Sequence, residues 1–370
     1  MPSIKRLCRF FLLGPVLALF AGCNMVVMSP SGDIAMQQRD LIIWSVILML
    51  IIIVPVIFLT LLFAWRYRAS ANRSDYDPEW HHSTVLELII WSAPLLIIIA
   101  LGAMTWVSTH RLDPYRPIER IAPDRPVAAD VQPLEVQVVA MNWKWLFLYP
   151  EQGIATVNEL AAPVDRPIQF KITSDAIMNS FFIPALAGQV YAMSGMQTQL
   201  HAVINQEGVY EGFSGNYSGA GFSHMRFNFR GMSESDFDRW VESVRGNDDA
   251  MTRESYLVLS QPSARDSVRY FGQLQEGLFD AVVNRCVEPN RMCMRDMMAI
   301  DAQGGMGIPG LDNLTWLDAD TMARLGIENI PLRAYVGGMC TAADVGFGLP
   351  QVSASAAAAA SPVTPIPARL

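Results

Sequence analysis

From Leu41 to Trp65 the chain runs for 25 residues without a charged side chain. As a helix that run measures ~37 Å, enough to cross a hydrocarbon layer of ~30 Å with some tilt. Val85–Val107 is a second such run, carrying only Glu87 near its start. Each holds an internal proline, Pro55 and Pro94, which a span tolerates where neighbours or local adjustments satisfy the freed carbonyls. Trp44, Trp65, Trp91 and Trp106 lie towards the ends, as in interfacial aromatic belts. Two core helices of a soluble protein are a poor account of runs this long. Yet only 17% of the 370 residues are charged and 51% are hydrophobic, with a mean hydropathy of +0.24. That is too polar for a wholly embedded protein, so a small membrane part and a sizeable soluble part are expected.

Composition also excludes classes. The apolar fraction excludes disorder over the whole chain, and five cysteines exclude a disulfide mini-scaffold. A net charge of -8 argues against a nucleic-acid partner.

The first residues read as an address. Lys5, Arg6 and Arg9 precede the apolar stretch Phe10–Phe20, the layout of a secretory signal. It ends in Leu19-Phe20-Ala21-Gly22-Cys23, which resembles a bacterial lipoprotein box, with residues 1–22 removed and Cys23 lipidated. An exported Cys23 places both termini in the periplasm. The loop with Arg66, Arg68 and Arg73 is then cytoplasmic, as the positive-inside bias prefers.

After the hairpin (23–110) and a Pro/Arg-rich linker (111–133), alternation with a period of two begins. Leu134, Val136 and Val138 alternate with Glu135 and Gln137, and Ile168, Phe170 and Ile172 with Gln169 and Lys171. Leu200, Ala202 and Ile204 follow, then Met225, Phe227 and Phe229 against Arg226, Asn228 and Arg230. This predicts an all-β sandwich over 134–232. Ser233-x-x-Asp236 opens a helix predicted to run through Val244, and helices are expected at about 251–260 and 264–286. Residues 287–370 form an extension without a clear period, ending in an Ala/Ser/Pro-rich stretch that reads as disordered.

These parts together resemble subunit II of haem–copper terminal oxidases. Met141-Asn142-Trp143-Lys144-Trp145 with Tyr149-Pro150-Glu151-Gln152-Gly153 is similar to the segment that opens that subunit's cupredoxin domain. Asn179–Pro184 resembles its first metal-ligand segment and Gly208–Met225 its second. Val268–Cys286 resembles the aromatic-rich tail of the quinol-oxidising branch. The chain is identified as a member of that family, in its bo-type ubiquinol-oxidising branch.

The resemblance implies what has changed. In the cytochrome c-oxidising branch the pattern is a histidine in H-S-F-x-x-P, then C-x3-C-x3-H-x2-M, holding two coppers. Here the first histidine position is Asn179, the bridging cysteines are Ser214 and Ser218, the second histidine is Phe222, and the backbone-ligand glutamate is Asn216; Met225 remains. A hydroxyl is a hard neutral ligand that cannot replace a bridging thiolate. No cysteine lies between Cys23 and Cys286. The resemblance therefore implies no metal in this chain, with haems and one copper in subunit I. It implies ubiquinol reaching subunit I from the membrane and no use of cytochrome c. Subunits I, III and IV and membrane lipid are the expected partners, in the bacterial inner membrane. Trp143 matches the electron-entry position and, without copper, is expected to pack at the subunit I contact. The alternatives are an electron-relay subunit with a degenerate copper site and a free-standing cupredoxin-like lipoprotein.

Glu87 carries two compatible expectations. The family resemblance implies a proton entrance at the start of this helix; Thr84-x-x-Glu87 also reads as a capping box. His81, His82, His201 and His224 read as solvated. Among Cys286, Cys293 and Cys340 the local pair Cys286–Cys293 is the favoured disulfide. The methionine-rich run from Arg291 to Met298 reads as filler at helix contacts, with a Cu(I) site as the rival.

Overall fold

A computed structural model of the chain describes residues 25–68, 70, 79, 82–289 and 291–302. The signal segment with Cys23, His81, Cys340 and the Ala/Ser/Pro-rich end lie outside the described residues. The described residues up to Met294 form one compact unit.

The two apolar runs form antiparallel helices α1 (Asp33–Arg66) and α2 (Thr84–Arg111). Pro55 and Pro94 lie inside them without ending either helix. Their side chains stand exposed, Leu61 at 66% and Trp91 at 78%, as a surface meant for lipid or partner helices requires. Both helices outrun the apolar segments. Asp33-Ile34-Ala35-Met36-Gln37-Gln38-Arg39-Asp40 holds no breaker, so α1 starts about 12 Å before Leu41.

That extension is stitched to the following domain. The amides of Ser31 and Gly32 both donate to the Ala185 carbonyl (3.0 and 2.9 Å), and Asn205 N donates to Ser31 O (2.9 Å). A Cβ on Gly32 would stand 2.6 Å from Val203 O and 2.7 Å from Leu186 O, so only glycine allows this approach. Asp33, 1% exposed, accepts from Arg120 Nε and Nη2 at 3.0 and 3.1 Å and from Gln37 Nε2 at 2.7 Å. Arg120 belongs to a small ribbon, β1 (Arg120–Ala122) with β2 (Arg125–Pro126), inside the stretch expected to be a plain linker.

The β-domain is a two-sheet sandwich. Its strands are β3 (Leu134–Met141), β4 (Lys144–Tyr149), β5 (Ile154–Val157), β6 (Glu159–Pro163), β7 (Ile168–Ser174), β8 (Asn179–Phe182), β9 (Val190–Ala192), β10 (Thr198–Ala202), β11 (Gly208–Ser214) and β12 (Arg226–Met232). Helix α3 (Glu234–Arg245), the short β13 (Ala250–Met251), α4 (Arg253–Ser260), β14 (Arg269–Phe271), β15 (Gln273–Leu274), α5 (Leu278–Val283) and α6 (Met294–Ala302) follow. One sheet has the order β10-β7-β3-β4-β5-β14, the other β6-β12-β11-β8-β9. The alternating positions behave as the pattern predicts: along β12, Phe227 and Phe229 are buried while Arg226, Asn228 and Arg230 are exposed. Between the sheets Phe181 stacks on Phe227 at 5.5 Å and 4°, with Trp145 edge-on to both at 5.4 and 5.6 Å.

The helix expected over 264–286 is corrected. Only its end, α5, is helical; β14 closes the edge of the first sheet against β5, and β15 runs parallel to β13. Gly277 adopts φ 73°, and a Cβ on Gly272 would lie 2.2 Å from Asn247 O. Both glycines mark extended or turning backbone that a helical period hides. Ser233 does cap α3, accepting from Asp236 N at 3.2 Å.

Candidate functional site

The positions that resemble the family's metal ligands converge where the ends of β8 and β11 meet the 215–225 loop. Ser214 pairs with Phe181 across the β8–β11 register, which brings Asn179 beside it. Ser214 Oγ lies 3.1 Å from Asn179 Oδ1 and 3.2 Å from the Asn216 carbonyl, and receives Ser180 N at 3.4 Å. Asn179 Nδ2 donates to Ile177 O at 2.9 Å and Asn216 Nδ2 to Met178 O at 3.2 Å. Ser214 N donates to Met225 O (3.2 Å), closing the base of the loop. Asn179, Ser214, Ser218 and Met225 are all buried; Phe222 is half-buried and edge-on to Tyr217 at 5.7 Å.

The chemistry of this corner is amide, hydroxyl and thioether. A copper pair bridged by thiolates and completed by imidazoles finds neither donor here, so these residues do not fit it. Among the described residues no three His, Cys, Asp or Glu side chains group in a way that could hold a metal ion. The hydroxyls of Ser180 and Ser218 are buried without a hydrogen-bond partner.

Trp143 covers this loop from the β3–β4 turn. Met141 and Lys144 pair directly, so Asn142 and Trp143 must reverse the chain, and Trp143 does so at φ 69°. That left-handed backbone costs a bulky residue about 1–3 kcal/mol. Its indole Nε1 donates to Ser218 O at 3.0 Å, and a Cβ on Gly221 would fall 2.3 Å from its Cδ2. The tryptophan and the glycine loop therefore hold each other in place.

At the other end of the membrane hairpin the capping-box reading of Glu87 is corrected. Ser83 is the cap of α2, its Oγ accepting from Leu86 N at 3.5 Å. Glu87 lies one residue beyond the box position, so its carboxylate is free to pair with His82 Nδ1 at 2.7 Å. Both side chains are exposed, at 50% and 62%. Among the other histidines, His224 is exposed and receives Arg265 at 3.3 Å. His201 departs from the solvated reading: it is 8% exposed because residue Pro114, after α2, lies over it, with Pro114 O 3.1 Å from Nδ1. Cys286 and Cys293 are joined as a disulfide, Cα–Cα 4.8 Å.

Two buried polar centres escaped the sequence reading. Glu159, 3% exposed, accepts from Arg230 Nε (3.0 Å), Trp240 Nε1 (3.2 Å) and Tyr270 OH (2.6 Å). These groups come from β6, β12, α3 and β14, so one carboxylate binds the sandwich to its tail. Burial pushes the Tyr270 hydroxyl up to about 12, with the hydrogen bond to Glu159 and its charge adding to the rise. Burial likewise raises Tyr149, whose hydroxyl donates to Ala161 O, and Tyr256, which bonds Asp175. The second centre is Lys144, 2% exposed at its side chain, which pairs with Asp266 at 3.0 Å and donates to Gln261 O and Ser263. Burial works to raise Asp266, but the hydrogen bonds from Ser263 and Lys144 and the charges of Lys144 and Arg269 outweigh it and hold the carboxyl below its usual range. The only sequence signal was a single charge set into an otherwise apolar strand.

The chain is similar to known proteins along most of its length. The family described as cytochrome c oxidase subunit II, periplasmic domain, matches residues 151–231, and the COX aromatic rich motif matches residues 245–290. A cytochrome bo(3) ubiquinol oxidase subunit 2 from Pseudomonas putida is 45% identical over 291 residues, covering 78% of this chain and 90% of its own. The protein of the same name from Pseudomonas aeruginosa is 47% identical over 277 residues, 75% of this chain and 81% of its own. The solved periplasmic domain of subunit II of a cytochrome oxidase from Bradyrhizobium japonicum aligns with 32% of this chain and 94% of its own, at 21% identity and a TM-score of 0.30. With two apolar helices ahead of a subunit II sandwich and an aromatic-rich tail, this chain belongs to the second-subunit family of the ubiquinol oxidases.

Proposed function

We propose that the chain serves a bacterial inner-membrane ubiquinol oxidase as a second subunit that carries no electrons itself. The complex oxidises two ubiquinol molecules with one dioxygen, giving two ubiquinone and two water. Ubiquinol would reach haem in subunit I directly, with the haems and one copper all in that partner. Cytochrome c has no part. The observation that carries this reading is the Ser214–Asn179 hydrogen bond: a position where the resemblance calls for a bridging thiolate is filled by a hydroxyl bonded to an amide. Ser218, Asn216 and Phe222 complete that replacement, and Met225 is left without companions.

The sandwich then acts as a periplasmic cap, with Trp143 facing the subunit I side, and subunits III and IV complete the assembly. Both termini are periplasmic, and Cys23 carries a lipid that adds to the anchoring by the spans. Glu87 at the cytoplasmic start of α2 contributes to proton entry. Its 2.7 Å contact with the exposed His82 supports that role, because a hydrogen-bonding imidazole stands beside the carboxylate.

The test is purification of the tagged chain in mild detergent. The reading requires a co-purifying haem protein, oxygen uptake with ubiquinol but not with reduced cytochrome c, and one copper per complex. Uptake driven by cytochrome c, or two further coppers, would overturn it. A chain recovered alone and without haem would point to the free-standing lipoprotein.

A further inference from the structure

A cleft of about 440 Å³ opens where the start of α1 and the segment after α2 meet the sandwich. Its polar lining comes from both membrane helices and from the β-domain. Gln37 and Gln38 lie four and three residues ahead of Leu41, which puts them roughly 4–6 Å above the apolar run along the helix. Arg111 is the last residue of α2. The cleft therefore sits at the depth of the lipid headgroups, above the hydrocarbon layer.

Its charges sort themselves. Three cations and three anions line it. Arg120 is taken up by Asp33, and Arg116 by Glu119 at 2.6 Å. Arg111 has no ion pair or hydrogen bond among the described residues, and Asp113 accepts only the Tyr115 amide, at 3.0 Å. One cation and one anion, two residues apart, are left without a counter-ion. His201 adds a third unmet group: it lines the cleft, is 92% buried, and uses Nδ1 on Pro114 O. A carbonyl only accepts, so the proton is on Nδ1 and Nε2 has no protein partner. That ring nitrogen therefore offers the cleft one further polar atom.

We infer that this cleft holds the zwitterionic headgroup of a membrane phospholipid, its phosphate on Arg111 and its ammonium on Asp113. The guanidinium fork matches phosphate oxygens, and a single unmet carboxylate matches an ammonium. An anionic headgroup would satisfy Arg111 but leave Asp113 repelled. The volume suits a headgroup, and its acyl chains would descend alongside α1 and α2.

The test uses the whole oxidase complex, exchanged in vesicles of phosphatidylethanolamine and phosphatidylglycerol at about 3:1 and recovered in detergent. Lipids that survive extensive washing are then counted by mass spectrometry. The expected result is one more phosphatidylethanolamine per complex in the parent than in Arg111→Gln or Asp113→Asn, with about tenfold weaker retention in each. Subunit and haem content, read on the same samples, separates loss of the lipid from loss of assembly and from failure of the oxidase reading itself. Equal retention in parent and both variants would overturn the inference. So would preference for phosphatidylglycerol, or displacement of the lipid by millimolar inorganic phosphate, which would mark a plain anion site.

Discussion

Replacing Glu159 by glutamine isolates the charge that joins the sandwich to its aromatic tail. The side chain keeps its shape and one acceptor oxygen, which can still serve Tyr270 and Trp240. Those two bonds then change from charge-assisted to neutral and lose roughly half their strength, about 1 kcal/mol each. The new NH2 faces Arg230 Nε, a donor against a donor. Arg230 is 46% exposed and can turn to water, so that side costs only about 1 kcal/mol more. The total is about 3 kcal/mol, below the cost of stranding a buried charge because no charge is stranded. For a domain of this size that lowers Tm by roughly 6–12 °C, read by near-ultraviolet circular dichroism on the detergent-solubilised chain.

A second readout separates charge from shape. Tyr270 is held near 12 partly by Glu159, so in Glu159→Gln its phenolate should appear closer to the ordinary 10.0. A raised phenol stabilises the fold below its ordinary value and loses that contribution as pH climbs from 10 towards 12, so the variant should lose less over that window. A Tm change under about 2 °C, or an unmoved Tyr270, would refute the view of Glu159 as the joint.

Three further outcomes follow from the geometry. Gly221→Ala puts a methyl into Trp143 and should cost about 1–3 kcal/mol, seen as a lower Tm with a red-shifted tryptophan emission; an unchanged spectrum would mean the loop does not rest on Trp143. Because Asp266 is held below its usual range by Ser263 and Lys144, it stabilises the fold above the ordinary aspartate value, and that contribution fades as pH falls below about 4. Acid unfolding of Asp266→Asn should accordingly be shallower than that of the parent. Reducing the Cys286–Cys293 bridge, which closes a loop with a separation of 7 residues, should cost the tail about 2.5 kcal/mol on the chain-entropy account, measured as Tm with and without a thiol reductant.

How much of this was legible depended on how many faces each segment buries. β3, β7 and β12 cover the core on one side and solvent on the other, so alternation announced them. β4, β5 and β6 are buried along their whole length. The reason for β5 and β6 is that α3 lies on their second face, and for Tyr149 that Phe237 and Trp240 cover it at 6.4 and 5.6 Å. No period survives in such strands. The segment from 264 misled because its apolar residues fall at helical spacing while Gly272 and Gly277 serve backbone contacts invisible in one dimension. At Glu87 the motif was present, but the cap fell on Ser83, and a one-residue shift left the carboxylate to bond His82 instead. Glu159, Lys144 and Asp33 gave little sign because their partners lie 71 to 122 residues away or on another element.

The distribution of polar effort in this chain supports the proposal that its β-domain is kept for structure and carries no electrons. The corner at Asn179 and Ser214 is held by neutral hydrogen bonds of 2.9–3.4 Å, and two serine hydroxyls there are left unmet. The buried charges stand elsewhere: Asp33 at the root of α1, Lys144 beneath the 261–266 segment, Glu159 between sandwich and tail. Each would be strongly destabilising if half of it were lost, and each fixes one element against another. A domain under demand as a redox carrier would concentrate its rigidity around the metal corner. This one concentrates it along the line from α1 to the tail, as the proposed role of a cap over two spans requires. Arg120→Ala, which strands the Asp33 carboxylate, should therefore damage assembly more than Ser218→Ala in the Asn179–Ser214 corner. The reverse order would mean the corner still has work to do.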